Sequence, residues 1–275
     1  MSSSDIPETH PTGPIAKSGI ELLTFGTPNG YKASIIMEEL KEAYGRDYTC
    51  QVINIRQDVQ KKPWYTAINP NGRIPVIIDH DRHGFIVFET AAILSYLVRH
   101  YDPNHKLSFS DPDDTSTMEQ WMLWQHGGLG PIQGQANFFL RGAKEKVPFG
   151  IQRYIGESER LYGVLNARLE GRDFVAGAGR GKYSIADISI FGWVNFASFG
   201  AMDLTMFPNI QMWLDKINAR PGVQNGLRIP FPPPFANASY ATKMREDSEF
   251  QVSEGKAMDL VKQAKEQYGY KYKSP

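Results

Sequence analysis

Glu89 and Thr90 close the stretch NPNGRIPVIIDHDRHGFIVFET, residues 69–90, placing an acid and a hydroxyl where an apolar run gives way to helical spacing. A helix start presents unbonded N–H groups and positive potential to a carboxylate, and the Glu89 carboxylate answers an ammonium group. A zwitterionic peptide satisfies both. In the same stretch Pro75 has no N–H to donate, so at the head of a strand it leaves the Ile74 backbone to pair elsewhere, with an extended peptide as the natural guest. Taken alone, these residues fit better the plainer description of an edge strand with a proline and a capped helix. The rest of the chain shifts the balance.

The elements that must position them follow from periodicity. Val76–Asp79 and Phe85–Phe88 are short and rich in β-formers, which predicts two antiparallel strands with a turn between them. Ile93, Leu94, Leu97, Val98 and Tyr101 recur at helical spacing and set Glu89 and Thr90 at the start of a helix. Upstream, residues 20–25 predict a strand that runs into Gly26, Thr27, Pro28, Asn29 and Gly30; Ala33, Ile36, Met37 and Leu40 predict a helix, and 48–55 a second strand. Strand, helix, strand normally makes a right-handed parallel crossover. Residues 57–67 read as a polar connection with a short helix ending in Trp64 and Tyr65. The pattern over 20–101, β-α-β, connector, β-β-α, is that of a thioredoxin-like α/β domain.

Residues 102–114 are rich in Asp, Pro, Ser and Asn, which makes 102–112 a linker. From 113 to 226 the pattern is all-α: a segment at 118–125 that GGLGP at 127–131 should kink or break, an amphipathic helix through Ile151, Tyr154, Ile155, Tyr162, Leu165 and Leu169, and helices at 184–199 and 210–218. Ser184 and Asp187 form a capping box, with Tyr183 and Ile188 as its hydrophobic staple. Residues 1–19 make a polar arm. Residues 227–275, opening near IPFPPPF, make an extension of low apolar content that should drape over the body, with one short helix near 258–268.

Composition excludes several classes. A chain of 275 residues is long enough for a substantial core, and a formal net charge of zero argues against a nucleic-acid or acidic-membrane surface. Its one cysteine, Cys50, precludes an internal disulfide and suits a reducing, cytoplasmic setting. The first residues lack an apolar signal core, and no run is long and apolar enough to span a bilayer.

Several motifs invite a function and fail its requirements. AGAGRGKY at 176–183 lacks the early glycine and the final Ser or Thr of a phosphate loop, and GGLGP follows a helix rather than a strand. DHDRH at 79–83 has no second ligand cluster to complete a metal shell and reads as a solvated turn. Trp121 and Trp124 read as core or interface, and Cys50, mid-strand, as structural rather than nucleophilic.

With GTPNGYK at the first helix, the Ile-Pro strand head, the Glu-Thr helix start, the YSIAD box and a helical second half, the chain resembles a cytosolic glutathione transferase over about residues 20–226. TPNG at 27–30, NPNGRIP at 69–75, WQHGGLGP at 124–131 and RYIGESERLY at 153–162 are similar to the Nu class, and the first half to the fungal nitrogen-regulator branch. The resemblance implies glutathione as cosubstrate and no metal. Glu89 and Thr90 would hold the γ-glutamyl end, Thr90 standing where the family usually has Ser. The Ile74 backbone, beside a cis Pro75, would pair with the cysteinyl unit. Gln60 and Lys62 would face the glycyl carboxylate or a second glutathione, with Arg73 and Arg153 as charge partners. Thr27 and Asn29, at a helix N-terminus, would favour the thiolate without a protein cysteine. Phe138, Phe139 and Trp193 are possible lining, with core packing the weightier role.

The function implied is disulfide reduction or peroxide reduction by bound glutathione thiolate. Glutathione conjugation of an electrophile in secondary metabolism, or a weakly catalytic binding protein, stand as alternatives. The resemblance also implies a two-fold homodimer.

Overall fold

Leu22, Leu23, Val76 and Ile77 have no exposed surface, and their burial makes two strands the centre of the first half of the chain. In the computed structural model, which describes residues 11–269, the strands are β1 (Ile20–Thr24), β2 (Tyr48–Val52), β3 (Val76–Asp79) and β4 (Phe85–Phe88). Their order is β2-β1-β3-β4, with β1 parallel to β2 and antiparallel to β3, and β3 antiparallel to β4. The first crossover runs through α1 (Pro28–Tyr44), as the alternation of patterns predicts. On one face of the sheet Leu23, Val76 and Ile78 pack with Ile53, Val59 and Tyr65.

The connector differs from expectation. β2 ends at Val52 rather than 55, two 3-10 turns follow at Ile55–Gln57 and Val59–Lys61, and α2 (Pro63–Ile68) begins where the sequence suggested a helix would end. Pro63 explains the start: its ring favours the first helical position, where a missing N–H costs nothing. Phe85–Phe88 leads into α3 (Thr90–Tyr101).

The turn at 79–83 is not simply solvated. Asp79 is buried and accepts hydrogen bonds from the Tyr96 and Tyr101 hydroxyls, while His80 Nε2 lies 3.0 Å from buried Glu21. Glu21 also accepts from the backbone N–H groups of Ile15 and Ala16, so this part of the polar arm lies back on the sheet. Residues 1–10 of that arm and 270–275 of the extension lie outside the described residues.

By contacts the chain divides into two compact units, one of residues 1–115 with 217–233 and the other of 116–216 with 234–275. The segment 217–233, assigned on pattern partly to the helical half and partly to the extension, thus groups with the sheet. Its helix α9 (Pro221–Gly226) packs on α1: the Ser34 hydroxyl donates to the Gly226 carbonyl at 2.7 Å, and Arg220 pairs with both Glu39 oxygens at 2.7 Å.

In the second unit, α4 (Pro112–Trp124), α5 (Gly130–Asn137), α6 (Pro148–Arg168), α7 (Ile185–Val194) and α8 (Pro208–Asn218) are the helical elements, α4 and α8 beginning or ending across the boundary. GGLGP interrupts the regular helix, α4 ending at Trp124 and α5 beginning at Gly130. Gln125–Leu129 is a π-turn in which the Gly130 N–H reaches back to the Gln125 carbonyl, and that shift of register accommodates Pro131 without an N–H of its own. Gly130 and Gly134 are flat against the Trp193 indole, whose role is packing. Trp121 and Trp124 are half-buried and meet edge to face, 5.1 Å apart. Phe139 stacks on Tyr154, and Phe138 is exposed.

The extension departs most from expectation. It forms α10 (Asn237–Glu246) and a 21-residue α11 (Ser248–Tyr268) that lies against α6. Glu254, Ala257, Val261 and Ala264 are the buried stripe, and Glu254 takes both guanidinium arms of Arg141 and the Tyr240 hydroxyl.

The capping box of α7 is as predicted, though buried: the Ser184 N–H donates to Asp187 Oδ2 at 3.1 Å, while the Val175 N–H and Trp213 Nε1 donate to Oδ1 at 3.1 and 3.0 Å. Burial pushes the Asp187 carboxyl up to about 6, against the pull of these hydrogen bonds. Since the folded value exceeds the unfolded one, this group's contribution is fully present below about pH 4 and lost as pH rises through about 6. The stability difference between wild type and Asp187→Asn should therefore fall by about 3 kcal/mol between those values and stay flat above, as read by urea unfolding. A difference that rises with pH would contradict this.

Candidate functional site

α1 is buried along Gly30–Leu40, with Lys41 and Glu42 exposed in its last turn and Thr27, Pro28 and Asn29 half-buried at its start. Thr27 caps it in an extended conformation, and its Oγ1 accepts the Gly30 N–H at 3.0 Å. A hydroxyl that accepts in this way keeps its own proton to donate outward. Asn29 sits in the first turn, half-buried. Gly30 is required here, because a Cβ would overlap the Phe25 carbonyl and Thr24 Oγ1.

Across the sheet, the NPNGRIP loop is held from below. The Tyr65 hydroxyl and Asn69 Nδ2 both donate to the Arg73 carbonyl, at 2.8 and 2.9 Å. The peptide between Ile74 and Pro75 is cis, and the strand ladder begins only at Val76, leaving half-buried Ile74 outside it. Asn71 Nδ2 donates to Glu89 Oε1 at 3.4 Å, which ties this loop to the start of α3. Glu89 is a non-glycine residue at φ 68°, a conformation that L-residues adopt at a cost and that is concentrated at binding and catalytic positions. Thr90 follows as the first residue of α3 and is buried.

Glu89, Thr90 and Ile74 thus belong to one edge of the first unit, with Thr27 and Asn29 on the helix N-terminus of that unit. Gln60 is buried in the turn before α2; its Nε2 bonds weakly to the Ile55 carbonyl and Asp58, and its Oε1 has no partner among the described residues. Lys62 and Arg73 are exposed cations of the same unit. Arg153 belongs to the other unit, where its guanidinium lies 4.0 Å from Glu157 one turn on. Cys50 is partly covered in β2, and burial pushes its thiol up to about 12, so it is protonated at neutral pH. Among the described residues no group of three or more His, Cys, Asp and Glu side chains is placed to hold a metal ion.

Two features escaped the sequence reading. Lys32, on α1, is 1% exposed, and its Nζ donates to Thr90 Oγ1 at 3.4 Å; burial brings its pKa down to about 7, with the Glu89 charge acting the other way. Its place in GTPNGYK was the available signal. The second is the strap at 229–233. The Phe231 ring meets Phe25 edge-on at 5.2 Å, the Tyr31 hydroxyl donates to the Phe231 carbonyl at 2.8 Å, and Gly26 lies directly beneath the ring.

Residues 28–100 match the family model for the glutathione S-transferase N-terminal domain, and 152–221 that for its C-terminal domain. The chain is 36% identical over 212 residues to the disulfide-bond oxidoreductase YfcG of Escherichia coli (strain K12), covering 76% of this chain and 94% of that protein. Among solved structures, a glutathione transferase homolog from Lodderomyces elongisporus with two GSH per subunit superimposes with a TM-score of 0.72 at 37% identity, over 78% of this chain and 99% of the other. A glutathione transferase from Pseudomonas putida with one glutathione disulfide per subunit does so with a TM-score of 0.70 at 36% identity, over 78% and 92%. The chain belongs to the glutathione S-transferase family, and its mixed sheet and helical second half are that family's architecture.

A Cβ on Gly26 would stand 2.8 Å from both Phe231 Cζ and the Tyr31 hydroxyl oxygen. Gly26→Ala should therefore destabilise by about 1–3 kcal/mol, and adding Phe231→Ala should recover part of that loss. Additive losses in the double variant, measured by urea unfolding, would show that the strap does not bear on this turn.

Proposed function

We propose that the chain is a glutathione-dependent enzyme of the Nu-class and nitrogen-regulator-like branch, whose principal reaction is reduction of a disulfide or peroxide by the thiolate of a bound glutathione. The observation that carries this reading is the Thr27 cap. Its Oγ1 is fixed by the Gly30 N–H, so the hydroxyl proton is aimed away from α1, at a helix N-terminus that favours an anion, in a chain whose one cysteine is held protonated. The name of the Escherichia coli relative and the glutathione and glutathione disulfide bound by the two neighbouring structures support it.

In this reading Glu89 takes the γ-glutamyl ammonium and Thr90 with the α3 N-terminus the α-carboxylate, while the Ile74 backbone pairs with the cysteinyl unit as an added strand. Gln60, Lys62 and Arg73 serve the glycyl carboxylate or a second glutathione. Thr27 and Asn29 lower the thiol's affinity for its proton. The thiolate attacks one sulfur of the substrate disulfide, forming a mixed disulfide and releasing the other half as a thiolate that takes up a proton. A second glutathione thiolate attacks the glutathione sulfur of the mixed disulfide. Glutathione disulfide forms and the remaining half leaves as a thiol, so two glutathiones are oxidised for each disulfide reduced.

Conditions suit a reducing cytoplasm, where glutathione is abundant. Among the described residues no helix is long and apolar enough to cross a membrane. The homodimer expected here sets the first domain of one subunit against the helices of the other, and the exposed Phe85, Ile86 and Phe88 of β4 give that domain an apolar surface for the contact.

Steady-state reduction of 2-hydroxyethyl disulfide by glutathione separates capping from chemistry. Thr27→Ser should retain activity, whereas Thr27→Asp, which caps a helix as well but cannot donate to a thiolate, should lose roughly 10²-fold or more in kcat/KM. Cys50→Ser should match wild type. Full activity in Thr27→Asp, or its loss in Cys50→Ser, would remove the reading.

A further inference from the structure

A buried ammonium needs a reason, because a lysine taken out of water is costly unless something answers its charge. Lys32 is the largest charged side chain among the fully buried residues of the first unit, and a methionine there would fill the same space without that cost. Its Nζ reaches Thr90 Oγ1 at the first residue of α3, and the nearest opposing charge acting on it is Glu89.

We propose that Lys32 is a positioning residue of the γ-glutamyl subsite: by donating to Thr90 Oγ1 it turns the Thr90 O–H outward, onto the α-carboxylate of the bound peptide. The inference rests on the glutathione reading above and deepens it. A hydroxyl has two lone pairs and one proton; with an ammonium on a lone pair, the proton is left for an acceptor on the other side. The hydrogen bond so offered carries charge from behind, which shortens and strengthens it toward a carboxylate.

Charge balance supports the same assignment. Exposed Glu89 and buried Lys32 both act at the start of α3, a pair complementary to a zwitterion whose ammonium and carboxylate share one carbon. Glu89 selects the ammonium directly. Lys32 selects the carboxylate through Thr90, and the N–H groups of the 12-residue helix α3 act in the same sense. The peptide's α-carbon is thereby set in one orientation, with its thiol-bearing residue directed along the Ile74 edge.

The test is binding of three peptides to the full chain, measured by titration calorimetry in slightly acid buffer: glutathione, γ-aminobutyryl-cysteinylglycine, which lacks the α-carboxylate, and glutaryl-cysteinylglycine, which lacks the ammonium. Wild type should lose roughly 10- to 100-fold in affinity with either deletion. In Lys32→Met and Lys32→Gln the carboxylate penalty should shrink to under about threefold, while the ammonium penalty, set by Glu89, stays at its wild-type size. A merely structural lysine would weaken all three peptides alike. Neutral variants that keep the wild-type carboxylate penalty overturn the proposal, as does failure of both variants to give the wild-type thermal transition, since Lys32 is then a folding residue. Wild type that binds no glutathione removes the reading beneath it; wild type that binds glutathione and its decarboxylated analogue equally removes this proposal alone.

Discussion

Eleven consecutive residues of α1, Gly30–Leu40, are buried on every side of the helix. Its C-terminal turn surfaces at Lys41 and Glu42, while Thr27, Pro28 and Asn29 at the N-terminus stay half-buried beside the sheet. A helix end left there has N–H groups without partners, and the chain answers with the Thr27 side chain, which satisfies one of them at Gly30. What remains is a fixed hydroxyl and an anion-favouring potential at one place. The same burial obliges Lys32 to find its partners inside, at Thr90, and draws α9 over the helix through Ser34, Glu39 and Gly226.

The second edge is built by withholding structure. The ladder between β1, β3 and β4 starts at Val76, and the loop before it is held by Tyr65 and Asn69 through the Arg73 carbonyl, not through Ile74. A backbone fixed in place but left out of the sheet suits the added strand proposed above. Glu89 at positive φ turns its carboxylate to the same edge, with Asn71 as its neighbour. The strain of that conformation is offset by the packing of Thr90 and the rest of α3, and it places two adjacent residues so that one is exposed and the next buried.

The architecture was legible where elements alternate in type. The order of strands and helices over 20–101, the Glu89–Thr90 helix start and the α7 capping box follow from spacing alone. Lys32 was not legible, because a helix buried all round shows no polar face against which a lysine stands out. The length of α11 was hidden for the opposite reason: its buried stripe is narrow and rests on Ala257, Val261 and Ala264, too little apolar surface to announce a helix amid its charges. GGLGP interrupts the regular helix as its composition suggests, but the form of the interruption, a π-turn, depends on backbone register that glycine and proline alone do not specify. The strap at 229–233 carries no periodicity at all, and its place over Gly26 arises from contacts such as Tyr31 with Phe231, 200 residues apart in sequence.

In the proposed chemistry a hydroxyl and a helix end make a thiolate from glutathione, with no thiol from the chain itself. Titrating the ultraviolet thiolate absorbance of glutathione bound to the wild-type chain tests it most directly. The bound thiol should ionise well below the roughly 8.5 of a free cysteine thiol. A bound thiol that titrates at or above that value would contradict it.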